Sequence, residues 1–138
     1  MGWRWLVRQP WAWRWMEGQF ARQAALGDVP AQSFYGHLLL FRGQGLGARD
    51  EGLRLLRLAA AAGDGKSAYQ LGLCSLTGNP RQAPDAALAA RFWEQAAQVG
   101  HPLAASRLAT LLAQGGPGLA ADPEQAAHFR ARAAQLGL

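Results

Sequence analysis

The chain has 138 residues, of which 50% are hydrophobic, so one domain with a substantial core is expected. The formal net charge is +5, and almost every basic residue is arginine, with Lys66 the only lysine. Valine and threonine are rare and isoleucine is absent, which argues against a β-sheet and predicts an all-α fold. The single cysteine, Cys74, excludes an internal disulfide and a zinc site built from several thiolates.

The N-terminal segment, residues 1–27, is rich in tryptophan and arginine. Because proline is favoured in the first turn of a helix, a helix is predicted from Pro10 to about Leu26. The residues expected on its inward face, at i, i+4 spacing, are Met16, Phe20 and Ala24. We expect this helix to cap a stack of further helices.

The tryptophans of this segment have more than one interpretation. Trp11, Trp13 and Trp15 are expected to cover the apolar flank that the first helix of a stack exposes. Trp3 and Trp5 are expected to be exposed, where they would bind a partner protein or mediate self-association. Because tryptophan and arginine both favour the membrane interface, attachment of this segment to a membrane surface is the alternative.

Four glycines recur at a nearly constant interval of 36, 37 and 37 residues. They are Gly27, Gly63, Gly100 and Gly137. Each is predicted to end a helix, and a period of this length is typical of stacked helical repeats. Three repeats are therefore predicted, at residues 28–63, 64–100 and 101–138.

Each repeat is predicted to begin with a helix that has a small residue at its centre. These first helices are placed at about residues 31–42, 67–77 and 104–114. The central residues are Gly36, Gly72 and Ala109. Glycine inside a helix is unfavourable by about 1 kcal/mol relative to alanine, so its recurrence predicts a close crossing with another helix.

The second helix of each repeat follows a glycine-containing loop. Asp50, Asp85 and Asp122 are expected to be the N-caps of these second helices, since aspartate is favoured at that position. Alanines and a large apolar residue then recur at helical spacing, most clearly between Asp85 and Gly100. The chain is thus predicted to contain one extra helix followed by three helix pairs.

This order of residues resembles the Sel-one-like repeat family, a relative of the tetratricopeptide repeats. The resemblance covers about residues 28–137 and is strongest over residues 67–100, through the segments SAYQLG and AAQVG. Departures from the family pattern are Gly52 for alanine, Leu56 for an aromatic residue and Ala109 for the helix glycine. The resemblance implies a right-handed α-α superhelix, or solenoid, whose first helices line a concave surface that holds other proteins.

No motif predicts catalysis. Residues 63–67 resemble the end of a phosphate-binding loop, but the segment before them is helical, so they are predicted to form a turn between repeats. His37, His101 and His128 lack metal-ligand spacing, and the last two are expected at the surface. Cys74 is expected to be a packing residue. We therefore expect a non-catalytic protein with no cofactor and no metal.

The predicted contact surface is the i, i+3, i+7 row of each first helix. The predicted partner-binding residues are Phe34, His37 and Phe41 in repeat one, Gln70 and Leu73 in repeat two, and Arg107 and Thr110 in repeat three, with Trp3 and Trp5 in addition. Thr77 and Gln114 complete the rows. Two phenylalanines facing water are unusual, so repeat one is the expected main contact site. The alternative is that Phe34 and Phe41 pack against the N-terminal helix.

The function predicted from these features is that of an adaptor, regulator or effector-neutralising protein that binds another protein or peptide. The alternative is a peripheral membrane scaffold anchored by the tryptophan- and arginine-rich segment. Nucleic-acid binding would use the arginines and is disfavoured because most of them are scattered along the chain. No secretory signal and no run of eighteen apolar residues is evident, so a cytoplasmic location is expected.

Overall fold

The computed structural model describes residues 10–43 and 45–138, and within those ranges it contains seven α-helices and no extended strand. The helices are α1 (Pro10–Ala25), α2 (Val29–Arg42), α3 (Gly45–Ala61), α4 (Gly65–Thr77), α5 (Ala86–Gln98), α6 (Pro102–Gln114) and α7 (Pro123–Gln135). The all-α class, with one helix before three helix pairs, is confirmed.

The chain divides into two compact units. Unit 1, Met1–Ala59, contains α1, α2 and most of α3, and in it α1 packs against α2. Unit 2, Ala60–Leu138, contains the end of α3 and helices α4 to α7. Within unit 2, α4 packs against α5, α5 against α6, and α6 against α7, so each helix contacts the next one in the chain.

The predicted turns between repeats are confirmed. Gly27, Gly63 and Gly100 have φ values of 89°, 98° and 93°, a left-handed conformation that glycine adopts without strain. The residue after each glycine is an N-cap: Asp28 accepts from the Ala31 N–H at 2.8 Å, Asp64 from the Ser67 N–H at 3.0 Å, and His101 Nδ1 from the Ala104 N–H at 3.1 Å. Residues 63–67 therefore belong to a repeat boundary, as expected.

Repeat one departs from the prediction in its second helix. Asp50 is not an N-cap: α3 begins at Gly45 and has 17 residues, whereas α5 and α7 have 13 each. In the later repeats a longer turn, which includes an isolated bridge, separates the two helices and ends at the N-caps Asp85 and Asp122. Asp50 follows Gly43 by seven residues, the same interval that separates Gly78 from Asp85, but in repeat one this glycine-rich segment is helical from Gly45 and does not form that turn.

The close crossings predicted at the small central residues are confirmed in repeats one and two. In unit 1, a Cβ added to Gly52 would lie 2.9 Å from the carbonyl oxygen of Gly36, so the two backbones touch. In unit 2, a Cβ added to Gly72 would overlap the indole ring of Trp93. Trp93 is only 2% exposed, and its Nε1 donates to the carbonyl oxygen of Tyr69 at 3.0 Å.

A hydrogen bond between neighbouring repeats recurs in unit 2. Gln95 Nε2 donates to the carbonyl oxygen of Ala60 at 2.5 Å. At the equivalent position, 37 residues later, Arg132 donates through Nε and Nη2 to the carbonyl oxygen of Ala97, at 3.3 and 3.2 Å. The last carbonyls of a helix have no partner within the helix, so each of these side chains caps the second helix of the preceding repeat.

Candidate protein-binding surfaces

The predicted contact row of repeat one lies on α2. Phe34 is 50% exposed and Phe41 is 67% exposed, with the partly buried His37 between them. The three residues follow the i, i+3, i+7 spacing that places side chains on one face of a helix. We call Phe34, His37 and Phe41 the aromatic row.

Contacts behind the aromatic row hold two of its three side chains in place. The ring of Phe34 lies 4.5 Å from that of Phe20 on α1, centroid to centroid. His37 Nδ1 donates to the carbonyl oxygen of Ser33 at 2.6 Å, and the imidazole lies roughly parallel to the ring of Phe41 at 6.3 Å. The alternative interpretation therefore holds in part: Phe34 packs against the N-terminal helix and stays half exposed, whereas Phe41 faces solvent.

The tryptophans of α1 do not all have the role expected of them. The prediction that Trp11 and Trp15 cover an apolar flank is wrong, because they are 55% and 63% exposed. Trp13 is less exposed, and the guanidinium carbon of Arg42 lies 5.5 Å from its ring centroid. Trp13 is two positions from both Trp11 and Trp15. Because a helix turns by about 100° per residue, Trp13 points in nearly the opposite direction to the other two and cannot share their face. Trp3 and Trp5 lie outside the described residues.

The inward face of α1 is the predicted one. Ala12 and Ala24 are buried, and Met16 and Phe20 are partly buried. Ala24 belongs to a small apolar cluster with Ala31 and Leu55, to which other helices of unit 1 contribute. Small residues therefore let α1 approach its neighbours closely.

The predicted rows of unit 2 are more polar than the aromatic row. Gln70 and Leu73 on α4 are partly buried, and Arg107 and Thr110 on α6 are exposed. Gln70 Nε2 lies 3.6 Å from the thiol of the partly buried Cys74, within hydrogen-bonding distance for sulfur. Apart from Leu73, these positions offer hydrogen-bonding groups rather than apolar anchors.

A stacked aromatic cluster beside Arg107 was not predicted. The ring centroid of Tyr69 lies 4.6 Å from that of the His101 imidazole and 6.3 Å from that of the Trp93 ring. The guanidinium carbon of Arg107 lies 5.9 Å from the centroid of the Tyr69 ring. Tyr69 lies next to Gln70 in the sequence, but the period alone does not indicate its partners.

His101 is partly buried, and not the surface residue that was expected. Burial lowers the pKa of its imidazole, as does Lys66 nearby, while the charge of Asp64 opposes the shift. A neutral ring suits the observed geometry, because Nδ1 must accept the hydrogen bond from the Ala104 N–H. The expected surface position of the third histidine is confirmed, since His128 is exposed.

Several arginines are engaged within the chain. Arg54 forms a two-point salt bridge with Glu51, at 2.9 and 2.6 Å, and its hydrogen bonds lower the pKa of that carboxyl group. Arg42 and Arg107 lie over aromatic rings, and Arg132 caps a helix. Nucleic-acid binding by these residues stays a disfavoured hypothesis.

Among the described residues, no group of three or more histidine, cysteine, aspartate or glutamate side chains is arranged to hold a metal ion. No helix in the described ranges is both long enough and apolar enough to cross a lipid bilayer.

Known proteins share this arrangement of helices. A Sel1 repeat family model matches the chain three times, at residues 29–64, 65–101 and 102–138. The chain belongs to the Sel1 repeat family. The resemblance drawn from the sequence is therefore confirmed.

Two crystal structures of Sel1-like proteins are similar to this chain. A Sel1 repeat protein from Oxalobacter formigenes is 31% identical, with 87% of this chain and 89% of that chain covered and a TM-score of 0.72. The protein c5321, a protective antigen present in uropathogenic Escherichia coli strains displaying an SLR fold, is 22% identical with a TM-score of 0.76. That match covers 88% of this chain and 26% of c5321, so it supports the fold alone.

No curated protein sequence matches the chain. The solved Sel1-like structures confirm the predicted α-α solenoid class. Sel1 repeat proteins generally act as protein–protein interaction modules and are generally non-enzymatic.

Proposed function

We propose that this chain is a non-catalytic binding module that docks a protein or peptide on the aromatic row of α2. The observation that carries the proposal is the exposure of two phenylalanines on one face of one helix, at 50% and 67%. Exposed aromatic side chains grouped in this way are typical of interaction sites. Membership of a family whose proteins generally bind other proteins supports the same conclusion.

The contacts behind the aromatic row would favour tight binding. Phe34 is supported by Phe20, and His37 is held by the carbonyl oxygen of Ser33. The helix itself is fixed by the backbone contact between Gly36 and Gly52. Since these groups are already ordered, this chain would lose little conformational entropy on binding a partner, and more of the contact energy would appear as affinity.

The chemistry of the row indicates the kind of partner. Phe34 and Phe41 would accept apolar side chains, such as those on one face of an amphipathic helix. His37 would contribute a hydrogen bond between these two apolar contacts, through the ring nitrogen that does not face Ser33. In unit 2, Gln70, Arg107 and Thr110 are proposed to offer polar contacts to a partner, and Leu73 an apolar one. An adaptor, regulatory or effector-neutralising role is compatible with this chemistry.

Photo-cross-linking followed by affinity measurement tests the proposal. A photoreactive phenylalanine analogue at position 41 should capture a partner that the same analogue at position 103 does not. Leu103 is a matched control because it is also exposed but lies on α6. With the captured partner purified, Phe34→Ala/Phe41→Ala should weaken binding by about tenfold or more, since interface aromatic residues typically contribute over 1 kcal/mol each.

A second pair of exposed apolar residues provides the control for the affinity measurement. Leu58→Ala/Leu103→Ala removes comparable apolar surface from other helices and should leave the affinity unchanged. Equal affinity of the wild type and the phenylalanine double variant would show that the partner binds elsewhere.

A further inference from the structure

The outward side of α1 is a feature of unit 1 that the proposed protein-binding site does not use. Trp11, Trp15, Gly18 and Arg22 follow one another at i, i+4, i+7 and i+11, so they lie along one side of the helix. All four are exposed, as is Arg14 beside them. We call Trp11, Arg14, Trp15, Gly18 and Arg22 the basic tryptophan face.

The opposite side of α1 is occupied by the rest of unit 1. Ala12 and Ala24 are buried there, and Phe20 contacts Phe34 of α2. The helix is therefore held in place from behind while its tryptophans point into solvent. An extra side chain at Gly18 would meet no atom within 4 Å, which shows how open this face is among the described residues.

The charge of the face has one sign. Arg14 and Arg22 lie on it, and the only acidic residue of α1, Glu17, is outside it, about 120° around the helix from Trp11 and about 60° from Arg14. The sixteen residues before Glu17 contain no acidic residue, but they include Arg4 and Arg8 in addition to Arg14. The N-terminal part of the chain is thus complementary to an anionic surface.

The chemistry of the face matches a lipid surface better than a protein groove. Indole rings have an apolar body and a polar N–H, and they favour the headgroup level of a bilayer. Arginine places its aliphatic stem in the apolar layer while its guanidinium pairs with lipid phosphates. The aromatic row of α2 differs, because it carries phenylalanines and a histidine instead.

We propose that the basic tryptophan face docks the chain on an anionic membrane surface, with α1 parallel to the bilayer and Trp11 and Trp15 at the headgroup level. Lipid phosphates are the ligand, held by Arg14 and Arg22. This site is separate from the aromatic row, so the chain presents α2 to a protein partner while α1 contacts lipid.

Vesicle co-sedimentation of the full chain tests the proposal. Vesicles of phosphatidylcholine containing about 30% phosphatidylglycerol should bind the wild type, and vesicles of phosphatidylcholine alone should bind it at least about tenfold more weakly. Trp11→Ser/Trp15→Ser should reduce binding to the anionic vesicles by about tenfold or more. Arg14→Gln/Arg22→Gln should abolish the preference for anionic vesicles and the weakening of binding by added salt.

Phe41→Ala is the matched control, since it removes an exposed aromatic side chain of the same unit from another helix. It should bind vesicles like the wild type, which separates this proposal from the proposed protein-binding site. Circular dichroism should show unchanged helix content in the variants of Trp11, Trp15, Arg14, Arg22 and Phe41, because these side chains are exposed.

Three outcomes would overturn the proposal. The first is absence of binding to anionic vesicles at low salt. The second is binding that survives Trp11→Ser/Trp15→Ser but is lost in Trp3→Ser/Trp5→Ser, which would place the contact in residues 1–9. The third is a wild-type dimer, measured by sedimentation equilibrium, that dissociates in Trp11→Ser/Trp15→Ser while vesicle binding is absent, which would make the face a self-association surface.

Discussion

Repeats one and two use the same small residue for two different packing arrangements. In unit 1, Gly36 lets the backbone of α2 meet that of α3 at Gly52, and the large residue nearby is the fully buried Leu56. In unit 2, Gly72 leaves room for an entire indole ring, that of Trp93. A repeat can therefore keep its register while glycine serves a backbone contact in one copy and an aromatic side chain in the next.

The third repeat supports this interpretation. Its central residue is Ala109, and the position equivalent to Trp93 is the exposed Arg130. With no indole at that position, the first helix can carry a methyl group. The requirement for glycine thus depends on the residue opposite it rather than on the repeat as such.

The largest expected effect is at the contact between Gly72 and Trp93. Replacing Trp93 with leucine should lower the free energy of unfolding by about 3 kcal/mol, because it leaves a cavity and removes the hydrogen bond to Tyr69. Gly72→Ala should lower it by about 2 kcal/mol, because the new methyl group overlaps the ring. Urea unfolding followed by circular dichroism measures both values.

The double variant tests whether the two residues are coupled. Gly72→Ala/Trp93→Leu should be more stable than the sum of the single effects predicts, by about 1 kcal/mol or more, since the smaller leucine leaves room for the alanine. Strict additivity would contradict the view that Gly72 is small on account of Trp93.

The next effect concerns the backbone contact in repeat one. In Gly52→Ala the methyl group would lie 2.9 Å from the Gly36 carbonyl oxygen and 3.0 Å from the Leu40 nitrogen. Backbone atoms move less readily than side chains, so the variant should lose about 1–2 kcal/mol of stability despite the better helix propensity of alanine. Gly18→Ala is the control: its site is open, and it should gain up to about 1 kcal/mol. Equal effects of the two substitutions would rule out a close crossing at Gly52.

A smaller effect is expected from removing the hydrogen bond between Gln95 and the Ala60 carbonyl oxygen, which joins neighbouring repeats in unit 2. Gln95→Met keeps the length of the side chain but leaves the Ala60 carbonyl oxygen without its donor, so stability should fall by about 1 kcal/mol. The equivalent residue in repeat one is Leu58, which has no donor to offer. Gln98→Met on the exposed side of α5 should change stability by less than about 0.5 kcal/mol in the same urea measurement. A Gln95→Met variant as stable as Gln98→Met would show that the bond contributes nothing.

The smallest effect is a pH dependence of stability at the turn before α6, where the N-cap is His101 instead of the aspartate found at Asp28 and Asp64. The pKa of His101 is lowered in the folded state, so the unfolded chain binds the proton first and stability falls as pH drops below about 6.5. Protonation also removes the acceptor that caps α6. His101→Asn keeps a capping side chain that does not titrate, and should lose less stability than the wild type between about pH 8 and pH 5. Parallel pH profiles for the two proteins would contradict this assignment.

The helices of unit 2 were predictable within two or three residues, and those of unit 1 less evenly. Gly63 and Gly100 adopt the left-handed conformation, and each is followed at once by an N-cap residue. The glycine and the capping side chain both act within a few residues, so the sequence is enough to predict them. Asp50 has the right residue type and follows Gly43 by the same seven residues that separate Gly78 from Asp85, yet it lies inside α3. Residue type and spacing therefore did not reveal where this helix begins.

Side-chain surroundings were harder to predict than helices. The helical period placed Phe34, His37 and Phe41 on one side of α2, but it left open whether the two phenylalanines face solvent or pack against α1. In the structure Phe41 is exposed and Phe34 is half exposed against Phe20. Trp11 and Trp15 were assigned to packing by composition, although their spacing from Trp13 already places them on another side of α1. The stack of Tyr69 on His101 joins side chains 32 residues apart, so no local pattern could indicate it.

The sequence by itself determined the all-α class, the period of the repeats, the turns between them and the face of α2 that carries the phenylalanines. Each of these follows from interactions within a few residues: helix capping, glycine conformation and the spacing of apolar side chains. Only the tertiary structure decided that Gly72 faces Trp93, that Gln95 and Arg132 cap the preceding repeat, and that α1 turns two tryptophans toward solvent. These depend on which surfaces meet when helices pack, and that choice is made by shape and contact among residues far apart in the chain.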